Sequence, residues 1–206
     1  MRTIREGFSR LKAMEYGLAR DAFVFCCFNQ TVKIIPEVFA RWMSLLRKVP
    51  GSVLWLLDDN ARASANLKRC AEEFGIAPER IAIAGRVPLA EHLARYGAAD
   101  LALDTFPYTS HTTASDALWL GCPLVGLSGG TFASRVSGSV LASCGLAELV
   151  TGNLDDYEAL AYRLATDAAY MQDIRSRLAA ARDTAPLFDA AQFTRDLERL
   201  YRQITQ

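Results

Sequence analysis

A chain of 206 residues with 51% apolar and 22% charged side chains can bury one sizeable core and is not a disordered polymer. Twenty-three basic residues balance twenty-three acidic ones, which argues against a nucleic-acid binder that relies on a basic surface. No apolar run reaches membrane-spanning length, and no apolar signal core follows Met1-Arg2-Thr3-Ile4-Arg5, so the chain is expected to be soluble and cytoplasmic, without a membrane partner.

Residues 1–20 form an amphipathic segment, with Phe8, Leu11, Met14 and Leu18 at helical spacing, set apart from a single domain over residues 21–206. Residues 22–28 are continuously apolar and read as a central parallel strand buried on both faces. Asn29-Gln30-Thr31-Val32-Lys33 is a polar loop. Pro36 then opens a helix at the turn where a missing N–H costs nothing, burying Val38, Trp42, Leu45 and Leu46. A second buried strand spans residues 53–57 and a helix residues 61–74; between them Asp58, Asp59 and Asn60 suit a turn and a helix cap better than a metal site. A third strand is predicted over 80–84, a loop over 85–88, and a short helix over 89–96 with His92 and Arg95 on one face.

Residues 100–103 are a fourth strand, followed by a turn around Asp104, Pro107 and Ser110 and a helix over 114–120 closed by Gly121. Residues 124–127 are a fifth strand, 131–143 a helix and 149–150 a short last strand; helices are predicted over 157–166, 170–182 and 193–204. Strand alternating with helix implies an α/β, Rossmann-like parallel sheet with helices on both faces. Such sheets bind ligands beyond the carboxyl ends of their strands. Three polar clusters fall at such ends: Gln30 with Lys33, His92 with Arg95, and His111, Thr112 and Thr113 with Asp116.

The third cluster sits where a strand ends and a helix begins. Unpaired amides and the helix dipole favour an anion there, and two hydroxyls and an imidazole complete a phosphate site. Asp116, one turn on, suits sugar hydroxyls. Thr112 and Thr113 serve equally as simple N-caps, with His111 a surface turn residue. No Gly-rich P-loop or dinucleotide fingerprint is present. Gly126-Leu127-Ser128-Gly129-Gly130 matches a hydrolase nucleophile elbow, but both histidines precede Ser128, against the required chain order. The five cysteines, Cys26, Cys27, Cys70, Cys122 and Cys144, form no Cys-x-x-Cys pair and suggest neither a zinc site nor a disulfide framework.

Taken in order, Phe28-Asn29-Gln30 with Lys33, Val53-Leu54-Trp55-Leu56-Leu57, Glu91-His92, Leu103-Asp104-Thr105 followed by His111-Thr112-Thr113, Asp116-Ala117-Leu118-Trp119, Phe132-Ala133-Ser134-Arg135-Val136 and Pro186-Leu187-Phe188 resemble the C-terminal catalytic lobe of the protein O-GlcNAc transferases, GT-B glycosyltransferases of family 41. The resemblance implies the UDP-sugar-binding half of a two-lobed UDP-GlcNAc-dependent transferase. By it, Gln30 and Lys33 contact the diphosphate, with Lys33 as the catalytic residue neutralising the leaving group. His92 and Arg95 bracket the uracil, Val87 lies in the loop that passes the uridine, His111, Thr112 and Thr113 hold the diphosphate, and Asp116 holds the ribose. Leu89 stands where the family often carries a lysine, which implies a missing ribose contact. No cofactor or metal is implied. The partners implied are a UDP-sugar, an acceptor protein and an acceptor-side lobe in the same or a separate chain, docking on an exposed apolar patch. The alternatives are a stand-alone UDP-binding module without catalysis and a related transferase using UDP-glucose on Asn.

Overall fold

The computed structural model describes Met14, Tyr16 and residues 18–205. Most of the helix expected over residues 1–20 lies outside the described residues. The elements run β1 (Val24–Cys27), α1 (Pro36–Lys48), β2 (Val53–Leu57), α2 (Ala61–Glu73), β3 (Ile81–Ala84), α3 (Leu89–Arg95), β4 (Leu101–Leu103), α4 (Thr112–Trp119), β5 (Leu124–Leu127), α5 (Val136–Ser143) and β6 (Val150–Thr151), then α6 (Leu154–Thr166), α7 (Ala168–Thr184) and α8 (Ala190–Ile204). No helix among the described residues is long and apolar enough to cross a membrane.

Among the described residues the sheet has six strands in the order β3-β2-β1-β4-β5-β6, and every pair is parallel. Phe25 of β1 lies opposite Leu54 on one side and Leu101 on the other. All four β1 residues are buried, as a strand covered on both faces requires. Right-handed crossovers send α1 and α2 to one face and α3, α4 and α5 to the other. α6 returns to the first face and packs beside α1 over β4 and β5. There Trp42 Nε1 donates to Tyr157 Oη at 3.1 Å, and that hydroxyl donates to the Asp104 carbonyl at 2.9 Å. This buried chain links the α1–α6 layer to the carboxyl end of β4. The order in which strands are added reverses between β1 and β4, and that switch point is where a parallel sheet opens a crevice.

Local chemistry sets the boundaries. Asn60 caps α2, its side chain accepting from the amides of Arg62 and Ala63. Asp59 instead accepts from Thr31 Oγ1 at 2.7 Å, and Asp58 from Ser64 Oγ at 2.8 Å. α5 starts at Val136, five residues later than its apolar pattern suggests, because Thr131 and Ser134 close a turn of their own: Thr131 N donates to Ser134 Oγ at 3.0 Å and Ser134 N to Thr131 Oγ1 at 3.2 Å. Gly129 touches that turn. A Cβ there would lie 2.8 Å from Ser134 Oγ and 2.9 Å from Phe106 Cε2. Gly129→Ala is therefore expected to lose about 1–3 kcal/mol, the usual range for overpacking, read as a lower urea midpoint; an unchanged midpoint would show that the turn yields freely. The five cysteines are free, and all but Cys70 are buried.

Candidate functional site

The crevice between β1 and β4 is bordered by Phe28 and Asn29 on one side and Asp104 and Thr105 on the other. Asn29 is only 5% exposed. Its Nδ2 donates to Thr105 Oγ1 at 3.1 Å and Ser110 Oγ at 2.6 Å, and its Oδ1 accepts from Thr113 Oγ1 at 2.8 Å. Asp104 Oδ1 accepts from the amides of Ser110 at 2.7 Å and Thr105 at 2.8 Å. Burial raises the pKa of Asp104, and hydrogen bonds from Ser110 and Thr105 oppose the rise. The loop closes where Thr105 Oγ1 donates to the Tyr108 carbonyl at 2.8 Å and Thr109 Oγ1 to the Ala133 carbonyl at 2.7 Å.

That loop delivers the chain to the start of α4. His111 occupies the N-cap position, with φ −111° and ψ −93°, and no side chain caps the helix. The two threonines are thus not caps: α4 begins at Thr112, two residues earlier than predicted, because the Thr113 hydroxyl is drawn to Asn29 instead of to its own backbone. Thr112 is exposed. The helix end therefore presents its positive pole to the crevice without a competing side-chain oxygen.

Lys33 approaches from the β1 side, on the turn Thr31–Lys33 that Asp59 holds through the Thr31 hydroxyl and amide. Its Nζ lies 4.2 Å from the centroid of the Tyr108 ring and donates to the Thr109 carbonyl at 3.3 Å. Burial lowers its pKa, and the negative charge of Asp104 opposes the fall. The His111 ring stacks on Tyr108, with centroids 5.3 Å apart and planes 18° apart, and its Nε2 is buried without a partner among the described residues. Gln30 is exposed beside the same turn, its carbonyl accepting from the Lys33 amide at 3.0 Å. Lys33, His111 and the start of α4 thus meet around one aromatic ring.

A second group lies beside the end of β1. His92 packs edge-on against Phe28, with centroids 5.3 Å apart. Burial lowers the His92 pKa, the Arg95 cation lowers it further, and Asp116 opposes both. Asp116 is raised by burial and held back by His92, so His92 on α3 and Asp116 on α4 act on one another's charge. Tyr96 Oη donates to the Thr113 carbonyl at 3.3 Å, joining the same two helices. Val87 is half-buried in the loop after β3, and Leu89 is exposed. Arg95 behaves differently from the helical-face expectation: it is 3% exposed, its guanidinium carbon lies 5.5 Å from the Tyr16 ring centroid, and Nε and Nη1 have no partner among the described residues. Packing of Tyr16 against Trp55, with centroids 4.9 Å apart, draws Arg95 inward while His92 stays at the crevice. Asn29 and Tyr108 organise the site but escaped the reading of candidate residues, since neither residue type announces such a role.

The sequence matches glycosyl transferase family 41 over residues 9–197. The chain is a member of glycosyltransferase family 41. This family 41 chain is 37% identical over 194 residues to the Arabidopsis thaliana protein named probable UDP-N-acetylglucosamine--peptide N-acetylglucosaminyltransferase SEC, covering 94% of this chain and 20% of that protein. It is 38% identical over 190 residues to the Caenorhabditis elegans UDP-N-acetylglucosamine--peptide N-acetylglucosaminyltransferase, covering 92% of this chain and 16% of that one. The structure superposes on the K341M mutant of Thermobaculum terrenum O-GlcNAc transferase with a TM-score of 0.83 and 34% identity, over 91% of this chain and 37% of the other. WaaG, a glycosyltransferase of lipopolysaccharide biosynthesis, shares the fold at a TM-score of 0.66 and 16% identity, with this chain covering 50% of it. The family 41 chain therefore has the Rossmann-like fold of one lobe of a GT-B glycosyltransferase and spans about a fifth of the length of the first of these relatives.

Proposed function

We propose that this chain is the UDP-sugar-binding lobe of a UDP-GlcNAc-dependent protein O-linked N-acetylglucosaminyltransferase acting in the cytoplasm. The observation that carries the reading is the convergence of Lys33 and the uncapped start of α4 on opposite sides of the switch-point crevice. A diphosphate laid across the crevice meets Gln30 and Lys33 on one side and His111, Thr112 and Thr113 on the other. In the transfer, the bond between the sugar's anomeric carbon and the diphosphate oxygen breaks, an acceptor hydroxyl oxygen takes the sugar, and negative charge gathers on the departing UDP. Lys33 and the α4 amides stabilise that charge where it develops. Asp116 accepts from the ribose hydroxyls, and Val87 and His92 border the uracil. Arg95 acts on the base through His92: burial, and after it the Arg95 charge, lower the pKa of that imidazole.

The acceptor and its catalytic base belong, in this reading, to a second lobe in the same or a separate chain. The surface of α8 supports it. Phe193, Leu200, Tyr201 and Ile204 recur on one side of that helix, Phe193 is 64% and Ile204 79% exposed, and α8 buries none of its residues. An apolar stripe of this kind is what a docking lobe covers.

Titrating the chain calorimetrically with UDP and with UDP-GlcNAc tests the reading. Saturable UDP binding is expected, unchanged by a chelator, because Lys33 and the helix pole supply the positive charge. Silence at millimolar UDP would remove the nucleotide site, and loss of binding on chelation would assign the diphosphate to a metal.

A further inference from the structure

The ladder between β1 and β4 pairs only Phe25 with Leu101 and Cys26 with Ala102. Past it the two strands part, the segments that follow them meeting again at the Ile34–Phe106 bridge and at the Lys33–Thr109 hydrogen bond, and the groups proposed to hold the diphosphate come from opposite banks: Gln30 and Lys33 follow β1, and His111 to Thr113 follow β4. Asn29 spans the gap. Both hydrogens of its Nδ2 are used, on Thr105 and Ser110 in the β4–α4 loop, and its Oδ1 is used by Thr113 in the first turn of α4. Ser110 is fixed independently through its amide to Asp104, and Thr105 through its hydroxyl to the Tyr108 carbonyl. An amide suits this place where a carboxylate does not. Thr105 Oγ1 already donates to Tyr108 and offers Asn29 only lone pairs, so the group facing it must be a donor.

We infer that Asn29 is a positioning residue that sets the separation between Lys33 and the start of α4, and so selects a diphosphate over a monophosphate. The inference rests on the reading of the crevice as a UDP site. Asn29 is too buried to be a principal ligand itself. A diphosphate must engage both banks at once, and groups that act together lose much for a small displacement. A single phosphate is satisfied by one bank.

The test compares UDP and UMP by calorimetry on the parent chain, Asn29→Ala, Ser110→Ala and the double variant, with thermal unfolding alongside. Ser110 and Thr105 are buried, so substitutions there reach the ligand indirectly, through Asn29 and through the loop that carries His111, and the double variant isolates the part that passes through Asn29. Asn29→Ala is expected to weaken UDP roughly ten- to a hundredfold, the scale of misplaced cooperating groups, and to change UMP far less. Ser110→Ala is expected to move UDP in the same direction, and the double variant to fall short of the sum, as coupled residues do. If Asn29→Ala does not fold, Ser110→Ala alone carries the comparison of UDP with UMP. Equal losses for the two nucleotides would reduce Asn29 to a structural residue and overturn the inference, as would retained UDP affinity in the folded variants. No UDP binding by the parent chain would instead overturn the site reading, and the inference with it.

Discussion

Lys33→Ala is expected to weaken UDP binding by about 1.5–3 kcal/mol, the range for hydrogen bonds to charged groups, while leaving the fold almost unchanged. Among the described residues the Lys33 side chain makes one hydrogen bond, to the Thr109 carbonyl, and one cation–π contact, with Tyr108. Losing a half-exposed contact of that kind costs about 0.5–1 kcal/mol at most. The ammonium is thus held close to the α4 pole by weak contacts that a diphosphate can outbid. Lys33→Arg keeps the charge but replaces a compact ammonium with a planar fork, and is expected to recover only part of the affinity. The pH dependence carries a sign. Burial sets the Lys33 pKa below that of an ordinary lysine, so the charged form that binds UDP is lost as pH rises through this lowered value. UDP affinity should decline on the alkaline side earlier than a solvent-exposed lysine would allow, and that decline should vanish in Lys33→Ala. An unchanged dissociation constant in the variant would take Lys33 out of the site.

The fold was legible where the signal was local. Residues 53–57 and 124–127 are apolar runs closed by polar turns, and both are strands over those same residues. Pro36 marks the start of α1 because a proline at the first turn loses no bond. Two of the failures share a cause, a partner distant in sequence. Thr112 and Thr113 look like caps to local reasoning, yet the partner of Thr113 is Asn29, 84 residues away. Helical spacing puts Arg95 beside His92, but a ring from the segment before β1 takes the guanidinium. Residues 131–134 carry no glycine or proline to break a helix, yet two hydroxyls compete successfully for the backbone. Of the candidate site, the residues facing the crevice were legible because strand ends in an alternating chain converge. Asn29 and Tyr108 were not, since their roles depend on pairings across the switch point that no periodicity encodes.

Tyr157→Phe is expected to destabilise the protein by about 2–4 kcal/mol, because it orphans two buried groups with one oxygen, each carrying a desolvation penalty. Tyr157 is 1% exposed, and its hydroxyl lies between Trp42 Nε1 and the Asp104 carbonyl. Trp42 and Asp104 are themselves buried, so neither gains solvent when the hydroxyl goes. Packing alone changes little, since phenylalanine fills nearly the same volume. Trp42→Phe makes the contrasting case: it removes the donor and leaves a cavity, but the Tyr157 hydroxyl still reaches Asp104. The double variant should therefore fall short of the sum of the singles, as residues sharing a partner do. The Asp104 carbonyl begins the loop that carries Thr105, Ser110 and His111, so the same substitution should also weaken UDP binding, by less than Lys33→Ala does. Urea unfolding and UDP titration of one variant measure both effects. A loss of stability with UDP affinity intact would mean that the amides of Thr105 and Ser110 hold the loop through the Asp104 carboxylate without help from the α6 layer.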